Sequence, residues 1–211
     1  EGGSKAEVLH ALAAYQNADG GFGNALEPDS WNPNSSPFST QTAINLFEEI
    51  GFRDRNHPMI QKILQYLGSS PDFDGTYWQA IIASNQEYPH APWWVDRAYD
   101  WGYTPTAALA GFSVLYASKT EKIYQTARRV CAAAIQQYLT GSLPDGKPYR
   151  SRRREAEIQC FTRMLAFLEE AGAGYEPDFT EMKNALAQQA ELFIEKDDVK
   201  WGGYCWRPST F

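Results

Sequence analysis

Two stretches of this 211-residue chain concentrate the side chains that can move protons or grip a ligand. The first, residues 24–36, holds Glu27, Asp29 and Trp31; the second, residues 84–103, holds His90, Trp93, Trp94, Asp96, Asp100, Trp101 and Tyr103. Glu27 and Asp29, with Asp96 or Asp100, offer the two carboxylates that acid–base chemistry on a sugar requires. The Glu27-Pro28-Asp29 triplet equally suits a rigid turn, because proline fixes the chain and carboxylates accept backbone N–H bonds. His90 stands between Tyr88-Pro89 and Ala91-Pro92. There the prolines limit the loop and hold an imidazole as acid, base or ligand, or as a hydrogen-bonded structural group. Trp93 and Trp94, being neighbours, are expected to face different surfaces, one packed inward and the other offering a flat ring. Gln41 follows Thr40, read as a helix cap, and either faces a cavity mouth or closes the turn. Glu27, Asp29, Asp96 and His90 are thus the catalytic candidates. Trp31, Gln41, Trp93, Trp94, Trp101 and Tyr103 are the ligand-binding ones.

Both stretches lead into apolar helical patterns, and functional groups gather in such loops on rigid scaffolds. Pro37-Phe38-Ser39-Thr40 opens one helix that runs to Gly51. Thr104-Pro105 opens another, with Thr as cap and Pro at the first helical position, and its segment from Ala107 to Tyr116 is apolar nearly all round. A third, from about Arg153, carries Ile158, Phe161, Leu165 and Leu168 and stops at Gly172. Between these run one-sided helices: Val8, Leu9, Leu12 and Tyr15; Ile60, Ile63, Leu64 and Leu67; Ile123 to Tyr138; and Met182, Leu186 and Phe193.

Each one-sided helix is followed by a turn that joins glycine to an aromatic residue: Asp19-Gly20-Gly21-Phe22, Asp74-Gly75-Thr76-Tyr77-Trp78, Asp145-Gly146-Lys147-Pro148-Tyr149 and Lys200-Trp201-Gly202-Gly203-Tyr204. This is a repeat of helical hairpins, in which one-sided helices alternate with more buried ones. Two concentric layers satisfy the alternation. The expected fold is all-α, an incomplete α/α toroid of consecutive hairpins, spanning residues 1–211 as one domain. The fourth one-sided helix lacks a following partner before Phe211. Its stripe is therefore expected to face further hairpins of a longer protein, or a second copy across an open C-terminal edge.

The stretch Gln16-Asn17-Ala18-Asp19-Gly20-Gly21-Phe22-Gly23 resembles the QW-type repeat of the terpenoid cyclase and protein prenyltransferase superfamily. Gly202-Gly203-Tyr204 is a weaker echo. The chain also resembles uncharacterised bacterial proteins of that superfamily in Gly21 to Asp29 and in Pro89 to Trp94. The resemblance implies an α/α toroid with a central pocket, and it names no activity or cofactor. The Asp-x-Asp-Asp acid motif of class II cyclases is missing, Asp72-Phe73-Asp74-Gly75 being the nearest approach. His10, His57 and His90 all precede the first cysteine and lack the ligand spacing of the prenyltransferase zinc site, so no metal site is expected.

Composition narrows the partners. A formal charge of −7 opposes binding to phosphate backbones, and the cluster Arg150, Arg152, Arg153 and Arg154 is local, with Glu155 and Glu157 within reach to pair with it. No apolar run approaches the roughly 18–20 residues that span a bilayer. Cys131 and Cys160 fall in helical patterns as small core residues, which favours a reducing, cytoplasmic setting. Seven Trp and twelve Tyr exceed what a plain bundle needs and suggest a lined pocket. The leading expectation is a small-molecule site at the toroid rim for an isoprenoid-like or saccharide ligand. The alternatives are a carbohydrate-active hydrolase or lyase of six-hairpin type with paired carboxylates, and a non-catalytic repeat scaffold binding a peptide or protein.

Overall fold

The computed structural model describes residues 4–96, 101–143, 146, 148, 154–174 and 179–202. Among them are seven α-helices and three short 310 turns, with isolated bridges in place of strands. The chain divides into two compact units, residues 1–99 with 116–126, and residues 100–115 with 127–211. No helix among the described residues is long and apolar enough to cross a membrane.

In the first unit, α1 (Lys5–Ala13) opens on a capping box: the Ser4 N–H donates to Glu7, and the Glu7 N–H to Ser4 Oγ. It buries only Leu12. Helix α2 (Pro37–Glu49) is capped by Ser36, whose Oγ accepts from the Ser39 N–H at 3.0 Å, with Pro37 in the first turn. Thr40 is therefore not the cap. It lies inside the helix, donates its hydroxyl to the Ser36 carbonyl at 2.8 Å, and accepts the Phe22 N–H at 3.1 Å. That pair of bonds fastens the first glycine-aromatic turn to α2. Helix α3 (Pro58–Ser69) buries Met59, Ile60, Ile63, Leu64, Tyr66 and Leu67 along one side.

The repeated turns share a backbone state. Gly20, Gly75 and Gly146 have φ of 95°, 99° and 80°, where a β-carbon is strained. In the first turn the Gln16 amide donates to the Gly20 carbonyl at 3.0 Å and to the Met59 carbonyl at 3.1 Å. The glutamine thus ties the turn to the start of α3. A β-carbon on Gly20 would lie 2.1 Å from the Lys62 carbonyl oxygen, so close approach of α3 demands glycine there. Asp145, Lys147, Tyr149 and residues 203–211 of the later turns lie outside the described residues.

The second unit holds most of α4 (Thr106–Tyr116) and α5 (Lys122–Thr140), and all of α6 (Arg154–Glu170) and α7 (Thr180–Phe193). Helix α4 starts at Thr106, just after Pro105, and is buried on every side, as its composition requires. Gly111 permits this at one point, since a β-carbon there would stand 2.8 Å from the Met164 Cα of α6. Phe112 meets Phe167 edge-on at 6.0 Å. Cys131 and Cys160 are buried on α5 and α6 and are not joined in a disulfide.

The stripe of α7 differs from expectation. Met182, Leu186 and Ala190 are buried, and α7 packs against α6 of the same chain. Each Met or Leu side chain so covered contributes about 1.5–3 kcal/mol. The face expected to look for an external partner is already occupied, and only Leu192 stands far out.

Candidate functional site

Loop 24–36 leaves the first turn through Asn24 and Ala25, with φ of 54° and 61°. Two consecutive residues other than glycine in the left-handed region cost on the order of 1 kcal/mol each, and such strain gathers at ligand sites. The chain then turns at Glu27-Pro28-Asp29, where the Ser30 N–H donates to the Glu27 carbonyl at 3.1 Å. Beyond the turn it meets the other loop. The Ala91 N–H donates to the Asp29 carbonyl at 2.8 Å, the Trp31 N–H donates to the Pro89 carbonyl at 2.9 Å, and Ser30 opposes His90 in an antiparallel bridge. The two loops therefore form a seam, although about sixty residues separate them, as their shared position before buried helices suggests.

Side chains lock the seam. The Asp29 carboxylate accepts two indole N–H groups, Oδ1 from Trp94 at 2.8 Å and Oδ2 from Trp93 at 3.1 Å. Their burial differs as expected of neighbours, Trp94 being buried and Trp93 half-buried, yet both N–H groups turn to one carboxylate. Pro92–Trp94 is a 310 turn with three residues per turn, which lets both indoles reach it. Trp94 is buried and meets Phe38 of α2 edge-on, ring centres 4.7 Å apart.

A second lock is made of amides. The Asn32 amide donates to Asn85 Oδ1 and to Ser84 Oγ, both at 2.9 Å, and the Asn85 amide donates to the Trp94 carbonyl at 2.9 Å. Asn32 and Asn85 are buried. Buried amides hold their place only when paired, so this relay fixes both loops at once. Neither asparagine stands out in the sequence, where only turn-forming composition marks them.

Glu27 reaches α2, where its Oε1 accepts the Thr42 hydroxyl. Burial holds its carboxyl above the usual glutamate range; the Thr42 bond opposes the rise and the nearby Asp29 charge adds to it. Glu27 therefore keeps its proton to higher pH than an exposed glutamate. Asp29 has both oxygens engaged by indoles, whereas Glu27 accepts the Thr42 hydroxyl through Oε1.

Helical spacing extends the site along α2. Phe38, Gln41, Thr42 and Asn45 follow at i, i+3, i+4 and i+7 and share one face, opposite Thr40, Ala43, Ile44 and Phe47 of the core. Phe38 touches Trp94 and Thr42 touches Glu27, so this face receives both loops. Gln41 is 4% exposed, yet its Oε1 and the Asn45 Oδ1 are buried and accept no hydrogen bond among the described residues.

His90 Nδ1 lies 3.0 Å from the Ala91 carbonyl oxygen. A carbonyl only accepts, so Nδ1 is the donor of this bond. Trp31 is 61% exposed, with its N–H held by the Pro28 carbonyl at 3.0 Å, which leaves an open ring beside the seam. Asp96 is exposed beyond the 310 turn. Trp101 and Tyr103 belong to the second unit and are buried; the Tyr103 N–H donates to Glu157 at 2.7 Å and its ring packs near Phe161. Asp100 and Arg150, Arg152 and Arg153 lie outside the described residues. Among the described residues no three His, Cys, Asp or Glu side chains group to hold a metal ion. Comparison with protein-family models, curated proteins and solved structures finds no match.

Proposed function

We propose that this chain binds a small molecule where the two loops meet the Phe38–Asn45 face of α2, and that Glu27 serves there as proton donor and acceptor. The observation that carries this is Glu27 itself: a carboxyl whose hold on its proton burial strengthens, bonded to Thr42, in a loop that two indoles and two asparagines fix in place. A carboxyl raised above the ordinary glutamate range is suited to general acid–base work. His90, whose Nδ1 is held by the Ala91 carbonyl, is the accompanying base. The paired-carboxylate hydrolase reading is less well supported, because Asp29 is engaged by Trp93 and Trp94. One acid with one base suits proton transfer in an elimination or isomerisation.

The recurring glycine-aromatic turns and the alternation of one-sided with fully buried helices support an α/α toroid like that of terpenoid cyclases and prenyltransferases. The ligand class then lies between a prenyl diphosphate and a saccharide.

A thermal-shift panel of neutral oligosaccharides and prenyl diphosphates tests the function. A ligand that binds the folded state raises the melting temperature by mass action. One class should do so, with any turnover lost in Glu27→Gln. A flat response across both classes would overturn the proposal.

A further inference from the structure

We propose that the ligand of this site is a neutral polyhydroxylated molecule, a saccharide or related polyol, recognised by the side-chain amides of Gln41 and Asn45. This inference rests on the small-molecule reading of the Glu27 site and chooses between its two ligand classes. Gln41 is almost wholly buried and Asn45 is half-buried, yet the amide oxygen of each is fully enclosed and accepts no hydrogen bond among the described residues. Buried polar atoms are ordinarily paired, and an unmade bond to one costs the full desolvation of the group. Two such oxygens one helical turn apart, about 5–6 Å between β-carbons, form a row that lacks its donors.

The face they share names those donors. Its other members, Phe38 and Thr42, are the residues that Trp94 and Glu27 touch, so the row runs along the loops' landing place. A prenyl chain carries no N–H or O–H and would bury both oxygens unsatisfied. A diphosphate brings only acceptors, which repel amide oxygens. An ammonium would seek an ionised partner with free acceptors, but the Asp29 oxygens already accept two indoles and Glu27 Oε1 already accepts the Thr42 hydroxyl. Hydroxyls donate and accept together, and a carboxamide answers both with its oxygen and its NH2. Trp31, whose ring stands open with its N–H satisfied, offers the flat apolar surface on which a sugar ring stacks.

The test uses maltotriose, cellotriose and xylotriose in one arm and farnesyl diphosphate in the other, with the 211-residue protein and its Gln41→Met and Asn45→Leu variants. At least one trisaccharide should bind, and each variant should weaken it by about tenfold or more, the loss of a buried hydrogen-bonded contact. Because the amide oxygens have no partner to lose among the described residues, the melting temperature of each variant should hold or rise. The side-chain NH2 resonances of Gln41 and Asn45 in the unsubstituted protein give a readout that needs no variant: they should shift on saccharide addition. Farnesyl diphosphate binding that Glu27→Gln weakens, without saccharide binding, would overturn the polyol inference and leave the site standing. No binding in either arm overturns both. A marked fall in melting temperature in both variants, with unshifted amide resonances, would assign the amides a structural role and overturn the inference alone.

Discussion

Asp29 receives the Trp94 indole N–H at 2.8 Å across 65 positions of sequence. Its other oxygen receives Trp93, so one carboxylate fixes the direction of two aromatic side chains and joins the two loops.

Asp29→Asn should separate this role from a catalytic one. The asparagine oxygen still accepts one indole, but its NH2 then meets the other indole, donor against donor. Urea unfolding should show a loss of roughly 1–3 kcal/mol, the cost of leaving a largely buried donor unpaired. Trp94→Phe made on top of Asp29→Asn should cost less than Trp94→Phe alone, since contacting residues are not additive. A variant as stable as the parent would show that the carboxylate is not the clasp.

Glu27 gives stability a pH dependence whose sign is fixed. Its folded value lies above the ordinary 4.5. Between the two values the folded chain binds a proton that the unfolded chain has released, so stability falls as pH rises through that window. Below 4.5 both states are protonated and the contribution is fully present. Glu27→Gln, neutral at every pH, should flatten this segment and match or exceed the parent above it. Chemical unfolding at a series of pH values from about 4 to 8 reads the difference directly.

The glycines of the first two turns should respond differently to one methyl group. Gly20 and Gly75 have nearly the same φ, 95° and 99°, so Ala pays a similar backbone strain of about 1–2 kcal/mol at either place. Around Gly75 there is open space, whereas at Gly20 the methyl lands 2.1 Å from the Lys62 carbonyl. Gly20→Ala should therefore cost at least about 1–3 kcal/mol more than Gly75→Ala, the usual penalty of overpacking. Equal losses in thermal unfolding would mean that α3 does not hold the first turn so closely.

These residues also show what a sequence can disclose. The all-α fold was legible because helical periods and glycine stops are local, and the meeting of the loops followed from both preceding buried helices. Thr42, Asn45, Asn32 and Asn85 were not legible: their roles come from bonds or burial set by distant chain, such as Asn32 to Asn85 across 53 positions. Gln41 drew notice in the sequence for its place near a helix start, whereas its buried amide oxygen, without a partner among the described residues, could not be read there. The different burial of Trp93 and Trp94 was legible, whereas their shared carboxylate was not, because it depends on the 310 turn at Pro92–Trp94. The α7 stripe misled because counting hairpins does not reveal that α6 can cover it.

The central claim is that Glu27 is a tuned proton carrier, and a carbon-13 carboxyl titration by NMR measures that property at the residue. The midpoint should lie above the ordinary 4.5. It should rise further in Thr42→Val, where the bond favouring the charged form is gone, and fall in Asp29→Asn, where the neighbouring negative charge is removed. A midpoint at or below 4.5, unmoved by either substitution, would contradict the assignment and with it the proposed chemistry of the site.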